Sequence, residues 1–141
     1  MTAQMLDQTR LQEFMGKMLN EFSAAATAPL VILVDRLGLF RCLAQEPSAT
    51  PARLAKLAST AERYTQEWLS AMAASGYVDY DAQTATFSMN EEQKAVFVDP
   101  SSPYLLTGGF YSLASVFADE PRVSEAFRTG RGIDWGEHDG Y

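Results

Sequence analysis

Two short helical patterns, separated by a short polar turn and followed by a glycine and a hairpin, constrain the fold of this chain most strongly. In TPARLAKLASTAERYTQEWLSAMAASGYVDYD, Thr50 and Pro51 suit the N-cap and the first position of one helix. The spacing of Ser59 and Glu62 predicts a capping box that opens the next helix. Gly76 is the expected left-handed stop of that second helix. Two helices joined by so tight a turn predict a helix-turn-helix.

The second helix of the pair has an apolar side, and a strand pattern follows it. The segment YVDYDAQTATFSM alternates around residues 81–84, which predicts a small hairpin. The predicted fold class is therefore mainly α, a winged helix-turn-helix over residues 50–88 with a small β-hairpin wing. The residues of the second helix expected to share the core-facing side are Tyr64, Trp68, Leu69 and Met72.

Two consecutive apolar helical patterns precede this unit. In the first pattern, apolar residues recur at the i, i+3, i+4, i+7 spacing of an amphipathic helix. Pro29 is predicted to begin a second helix that continues through LVILVDRLGLF. A chain of 141 residues has little mass to cover both helices, so residues 1–45 are predicted to form an isologous homodimer. The residues assigned to the dimer interface are Leu11, Phe14, Met15, Met18, Phe22, Leu30 and Leu33.

Further helices are predicted after the hairpin. Asn90 and Gln93 suit a capping box on a short helix that ends before Asp99. Beyond Pro103 the pattern predicts two more helices, with a break at residues 119–121. The tail, residues 130–141, is rich in glycine and has no period, so it is predicted to be a linker.

The charges on the chain argue against binding to nucleic acid. A formal net charge of −7 and a pI of about 4.6 oppose the attraction that supplies most sequence-independent affinity for phosphates. A local basic patch would be needed, but the exposed side of the second helix offers one Arg against two Glu, and the wing adds two Asp. DNA binding is therefore not expected. The residues concerned are Glu62, Arg63, Gln66, Glu67, Ser70, Asp79 and Asp81.

Cysteine use favours a reducing cytoplasm as the location of the chain. Cys42 is the single cysteine, so the sequence has neither a disulfide framework nor a ligand set for zinc. The most apolar stretch, residues 23–34, is shorter than the ~20 residues that span a bilayer. The acidic residues before it exclude a signal peptide. No association with a membrane is predicted.

The order of these elements resembles the N-terminal winged-helix domain of class I S-adenosylmethionine-dependent methyltransferases that act on small molecules. The sequence departs from that family at Ser59, where Gly is frequent, and at Ala61, where a capping Asp is common. The resemblance covers most of the chain, and it implies a dimer formed by the N-terminal helices. The segments on which it rests are residues 37–40, 50–55, 63–64, 67–69 and 76–78.

The resemblance also implies that this chain is one domain of a longer parent protein and that catalysis belongs to another domain. Residues 1–129 would form the dimerisation and substrate-lid domain, with residues 90–129 as the lid helices and residues 130–141 as a linker to a catalytic domain. The parent would use S-adenosylmethionine and a small-molecule acceptor. The chain itself lacks a glycine-rich turn after a strand, so no cofactor site is assigned within it, and the chain alone is expected to be inactive.

Candidate site residues within the chain are few. An aromatic group in the C-terminal part would either line an acceptor pocket or belong to the core and the domain interface. His138, the single histidine, is interpreted as a solvated loop residue in preference to a general base, and neither a catalytic residue nor a metal site is assigned. The residues assigned to substrate contact are Tyr104, Phe110, Tyr111 and Trp135.

Two other functions remain open from the sequence. One is a dimeric winged-helix transcriptional regulator whose aromatic cavity binds an effector. The other is an interaction module that joins a partner protein through its first two helices.

Overall fold

The computed structural model describes residues 6–138 as a mainly helical domain with a two-stranded antiparallel sheet. This confirms the predicted winged helix-turn-helix. The first five residues of the predicted dimerisation segment and the last three of the predicted linker lie outside the described residues. The elements of the described part are α1 Gln8–Leu37, α2 Leu39–Ala44, α3 Pro51–Ala58, α4 Glu62–Ala74, β1 Asp79–Asp81, β2 Thr86–Ser88, α5 Glu91–Phe97, α6 Thr107–Ala118 and α7 Glu120–Thr129.

The N-terminal segment forms one long helix, α1, where two helices were predicted. Asp7 caps it, because its carboxylate accepts hydrogen bonds from the amides of Thr9 and Arg10. Pro29 lies inside the helix and not at the start of a second one, although an interior proline costs a helix about 3 kcal/mol. Burial of individual residues on either side of Pro29 offsets that cost. The buried residues there are Ala28, Val31 and Val34.

The true break in the N-terminal segment is at Gly38. This residue takes a left-handed conformation with φ 75°, and its amide donates to the carbonyls of Val34 and Asp35. A side chain is strained at that φ, so glycine allows the sharp change of direction between α1 and α2. The predicted segment 1–45 thus contains one long helix and one short one.

The start of the helix-turn-helix is as predicted. The hydroxyl of Thr50 accepts a hydrogen bond from the amide of Arg53 at 3.2 Å, and Pro51 occupies the first turn of α3. A helix leaves its first backbone N–H donors unpaired. The hydroxyl of Thr50 satisfies one of them, and Pro51 has no N–H to be satisfied.

The turn between α3 and α4 differs from the prediction. Ser59 takes a left-handed conformation with φ 53° and ends α3, so it does not cap α4, and the predicted capping box is wrong. The N-cap of α4 is Ala61, which makes no side-chain hydrogen bond. The hydroxyls of Thr60 and Thr65 lie 2.7 Å apart, and Thr65 also donates to the carbonyl of Ala61. These two hydroxyls hold the turn in place of a capping box.

Helix α4 buries a stripe at the i, i+3, i+4, i+7 spacing. Trp68, Leu69 and Met72 face the core as predicted, but the fourth member is Thr65 and not Tyr64. Tyr64 is 76% exposed, because it lies in the first turn at the edge of the stripe, where no other element covers it. Phe40 lies at the centre of the core, with ring centroids 4.7 Å from Phe97 and 5.2 Å from Trp68.

The hairpin follows α4 as predicted. Gly76, with φ 73°, ends the helix, and β1 then pairs with β2 so that Tyr80 lies opposite Phe87. Phe87 also forms a bridge with Ala49 just before α3, which attaches the wing to the helix-turn-helix. At the hairpin turn, hydrogen bonds led by the hydroxyl of Thr84 lower the pKa of Asp81.

The capping box of α5 is confirmed. The side chain of Asn90 accepts from the amide of Gln93 at 2.8 Å, and that of Gln93 accepts from the amide of Asn90 at 3.0 Å. Both side chains also donate to the carboxylate of Asp79 on β1, at 3.3 Å and 3.2 Å. The cap therefore joins the start of α5 to the wing.

Replacing Asn90 with Ala is expected to lower the free energy of unfolding by about 1–2 kcal/mol, because it removes an N-cap together with a bond to the wing. Urea unfolding followed by circular dichroism measures this. Glu92→Ala, an exposed change on the same helix, is the control and should stay within about 0.5 kcal/mol of wild type. Equal losses for the two variants would show that the cap does not stabilise the domain.

Helices α6 and α7 are separated at Asp119, which confirms the predicted break. A short 3-10 turn, Trp135–Glu137, interrupts the tail that was predicted to be loop. The assignment of residues 1–129 to a lid domain and 130–141 to a linker stays a prediction.

Candidate functional site

The first large exposed feature is an apolar face on the N-terminal part of α1, formed by residues 11–22. Every residue from 8 to 26 is exposed, and the large apolar ones are spaced to share one side of the helix. Phe14 is 58% exposed and Phe22 is 73% exposed. Contiguous apolar surface of this kind marks an interaction site. The exposed members of this α1 face are Leu11, Phe14, Met15, Met18, Leu19 and Phe22.

The two later residues assigned to the dimer interface lie in different surroundings. Leu30 is partly buried and packs against the core of its own chain, whereas Leu33 is 51% exposed. Leu33 therefore remains available to a partner, and Leu30 is largely used within the domain. The interface itself stays a prediction.

The length of α1 bears on whether this helix could cross a membrane. At a rise of about 1.5 Å per residue, its 30 residues extend about 45 Å, so by length and composition α1 is one helix that could cross a bilayer. The expectation that the apolar segment is too short is therefore wrong. Packing opposes a span, because Val31 and Val34 are buried in the core while Glu13, Lys17 and Glu21 interrupt the exposed part.

The second exposed feature is the face of α4 that a DNA-binding protein of this fold would present to the major groove. All five polar residues assigned to that side are exposed, as are Asp79 and Asp81 of the wing. On the preceding helix, Arg53 is paired with Glu46 at 3.0 Å, which reduces its attraction for phosphate. A groove of about 560 Å³ lies between α4 and the wing, with Glu62 and Gln66 on one wall and Tyr80 on the other.

The aromatic residues assigned to substrate contact are not gathered in one pocket. Tyr104 is exposed, and Trp135 in the tail is 92% exposed. Phe110 instead packs towards the core, with its ring centroid 6.3 Å from that of Phe97. It lines an apolar groove of about 300 Å³ between α5 and α6, together with Tyr77 and Phe97. A role in contacting substrate stays a prediction for all four residues.

Tyr111 connects α6 to α1. Its hydroxyl donates to Oδ2 of Asp35 at 2.9 Å, and the guanidinium of Arg36 lies 5.5 Å from the centre of its ring. Arg41 on α2 donates to Oδ1 of the same carboxylate at 3.2 Å and to the Asp35 carbonyl at 2.9 Å. This cluster was missed from the sequence, because Asp35 and Tyr111 are 76 positions apart and neither belongs to a motif.

The pKa of Tyr111 is raised above its usual value of 10.0, first by burial and then by the bond to Asp35. A raised pKa means that the folded chain holds the phenolic proton more tightly than the unfolded chain does. The resulting stabilisation is complete below pH 10 and is lost as the pH rises through the folded pKa. Subtracting the phenolate absorbance titration of Tyr111→Phe from that of wild type should isolate one phenol that ionises above pH 10. A difference curve centred at or below 10 would contradict this.

His138 is exposed in the tail, as interpreted from the sequence, but it also has a partner. Its Nδ1 lies 2.7 Å from Oδ2 of Asp119, a carboxylate that is only 3% exposed. Arg122 contacts the other oxygen of Asp119 at 3.3 Å and donates to the carbonyl of Glu137. These contacts hold the tail against the junction of α6 and α7. Within residues 6–138, no three His, Cys, Asp or Glu side chains are grouped closely enough to hold a metal ion.

Solved structures with a similar fold include two methyltransferases. The mitomycin 7-O-methyltransferase MmcR has a TM-score of 0.66 and 21% identity, over 88% of this chain and 37% of that protein. Human N-acetylserotonin methyltransferase in complex with SAM has a TM-score of 0.65 and 18% identity, over 94% and 38%. PigF with SAH has a TM-score of 0.62 and 19% identity, over 92% and 38%. The chain thus spans less than two fifths of the length of each.

Sequence comparison gives the family. No curated protein sequence matches the chain. The family model of the Rv2258c-like winged HTH domain matches residues 25–98, from the middle of α1 to the end of α5. This match covers just over half of the chain, and the fold described above agrees with it. The chain therefore belongs to the family of Rv2258c-like winged HTH domains.

Proposed function

We propose that this chain is the dimerisation and substrate-enclosing domain of a cytoplasmic S-adenosylmethionine-dependent methyltransferase that acts on a small molecule. The observation that carries this proposal is the fold likeness, over 88% and 94% of the chain, to a mitomycin 7-O-methyltransferase and an N-acetylserotonin methyltransferase. The chain spans less than two fifths of each, so the cofactor-binding part would belong to a longer protein.

The exposed surfaces support association in preference to DNA binding. The α1 face offers apolar side chains with no partner element in their own domain, which suits an isologous dimer. The α4 face, in contrast, places Glu62 and Glu67 where a DNA-binding protein needs donors to phosphate and guanine. A winged helix with these two faces is better suited to assembly than to reading a duplex.

In the parent enzyme, S-adenosylmethionine would supply a methyl group from its sulfonium to a nucleophilic oxygen, nitrogen or carbon of the acceptor. The residues of this chain would contribute enclosure. Helices α6 and α7 expose Phe117 and Phe127, which are 68% and 88% accessible, so they can cover a neighbouring surface and exclude water from it. Holding the two reactants in one orientation would then make a major contribution to the rate acceleration.

Binding of S-adenosylmethionine is the direct test of this function. The reading frame beyond codon 141 should continue into an apolar strand and a glycine-rich turn, and the full product should bind S-adenosylmethionine in a calorimetric titration. The 141-residue chain is the control and should show no binding heat. A full product that does not bind S-adenosylmethionine would contradict the proposed methyltransferase function. A stop codon directly after codon 141 would contradict it as well.

The winged helix-turn-helix itself favours a second candidate, a dimeric transcriptional regulator. That function requires binding to duplex DNA that weakens as salt rises. In gel-shift assays at low salt we expect no shifted complex. A shift that disappears with Arg63→Ala, the single basic residue on the α4 face, would favour the regulator instead.

A further inference from the structure

One carboxylate joins three helices at the end of α1. Asp35 lies in the last turns of α1, and its side chain is 25% exposed. One oxygen accepts the hydroxyl of Tyr111 on α6, and the other accepts Arg41 on α2. Arg41 also donates to the main-chain carbonyl of Asp35. Its two contacts with Asp35 orient the carboxylate independently of Tyr111. A hydrogen bond to a charged group in such a position is stronger than one between neutral groups.

We propose that Asp35 is a positioning residue that fixes α6 against α1 through the hydroxyl of Tyr111. The inference rests on the proposed function, in which α1 is the dimer helix and α6 is the first of the lid helices. The hydroxyl of Tyr111 then serves to attach α6 to α1. The position of the lid is thereby coupled to the helix that forms the dimer.

The surroundings of Tyr111 explain why its polar contact with Asp35 is important. Much of the rest of α6 is poorly covered, since Leu113, Val116 and Phe117 are exposed. Coverage is greatest at the start of the helix, where Thr107 is buried and Phe110 reaches the core cluster, and it is partial at residues 114–115. The guanidinium of Arg36 lies over the ring of Tyr111. An element with few buried apolar side chains depends more strongly on each polar contact that it makes.

Amide hydrogen exchange of the 141-residue chain tests the contact itself. Tyr111→Phe removes only the hydroxyl, and Asp35→Ala removes the acceptor. Each is expected to lower the protection of α6 amides by about tenfold, while the amides of α4 keep wild-type protection. Asp35→Asn retains an acceptor oxygen, so it should restore part of the protection that Asp35→Ala loses. Tyr64→Phe, which removes the same atom from an exposed ring on α4, is the matched control and should leave α6 unchanged.

The coupling to the dimer helix is tested by combining variants. Met18→Asp on the α1 face should lower α6 protection in the wild-type background and have a smaller effect in the Tyr111→Phe background. If the effects of Met18→Asp and Tyr111→Phe on α6 protection simply add, the coupling between the dimer helix and α6 is overturned. Unchanged α6 protection in Tyr111→Phe would overturn the positioning role altogether. Both results are independent of S-adenosylmethionine binding, so failure of the methyltransferase function would be detected separately.

Discussion

Replacing Met18 with Asp is expected to disrupt the proposed dimer, with its dissociation constant raised about 100-fold or more. Met18 lies in the middle of the α1 face, between Phe14 and Phe22 along the helix, and is 40% exposed in the single chain. In a dimer formed by this face, a carboxylate at residue 18 would be buried without a partner, and its desolvation would oppose association. Sedimentation velocity over a range of concentrations measures the change.

Asn20→Asp is the matched control for Met18→Asp. It introduces the same charge on the opposite side of α1, so it should leave the dissociation constant within about threefold of wild type. A wild-type chain that sediments as a monomer at every concentration would contradict the dimer. If the wild type is a dimer that both variants leave intact, the interface lies elsewhere than on the α1 face. Flotation with lipid vesicles distinguishes a further outcome, because a helix inserted in a bilayer would float with the lipid.

Replacing Phe40 with Ala is expected to have the largest effect on stability, lowering the free energy of unfolding by about 3–5 kcal/mol. Phe40 is 1% exposed, and its ring contacts those of Phe97 and Trp68. These three residues come from α2, α5 and α4, so removing the ring leaves a cavity where three elements meet. A loss of this size is a large fraction of the stability of a typical domain. Urea unfolding measures it.

Phe117→Ala is the control for Phe40→Ala. The ring of Phe117 is 68% exposed on α6, so the same truncation should cost less than about 1 kcal/mol. Similar losses for the two variants would mean that Phe40 is not at the centre of the core. An unfolding midpoint for Phe117→Ala that depends on protein concentration would indicate that this ring is covered in a dimer.

Local signals in the sequence determined much of the fold. Thr50 with Pro51, and the pair Asn90 and Gln93, satisfy or leave out backbone groups at helix ends, and Gly76 takes the left-handed conformation that follows α4. These capping roles involve residues only a few positions away, whereas the bonds from Asn90 and Gln93 to the wing are long-range. These short-range rules predicted the helix-turn-helix, the hairpin and α5 correctly. The acidic character of the α4 face was also predictable, because it follows from composition and helical spacing.

Where two local signals competed, tertiary contacts decided the outcome. Pro29 suits the first turn of a helix, but burial of residues on either side of it keeps α1 continuous through it. Ser59 can cap a helix or end one, and the direction that α4 must take to bury Leu69 and Met72 favours the left-handed end. The sequence contains both options at each position, and the energy that separates them comes from packing between distant segments.

The sequence by itself determined that this chain is an acidic winged helix whose N-terminal apolar side chains its own domain leaves exposed. Only the tertiary structure placed Tyr111 on Asp35 and His138 on Asp119, across 76 and 19 positions. Such pairs have no periodicity and no fixed spacing, because each depends on where two separate helices or a tail happen to meet. The physical reason is that a hydrogen bond between distant segments is set by the packing of whole elements, which local sequence rules do not specify.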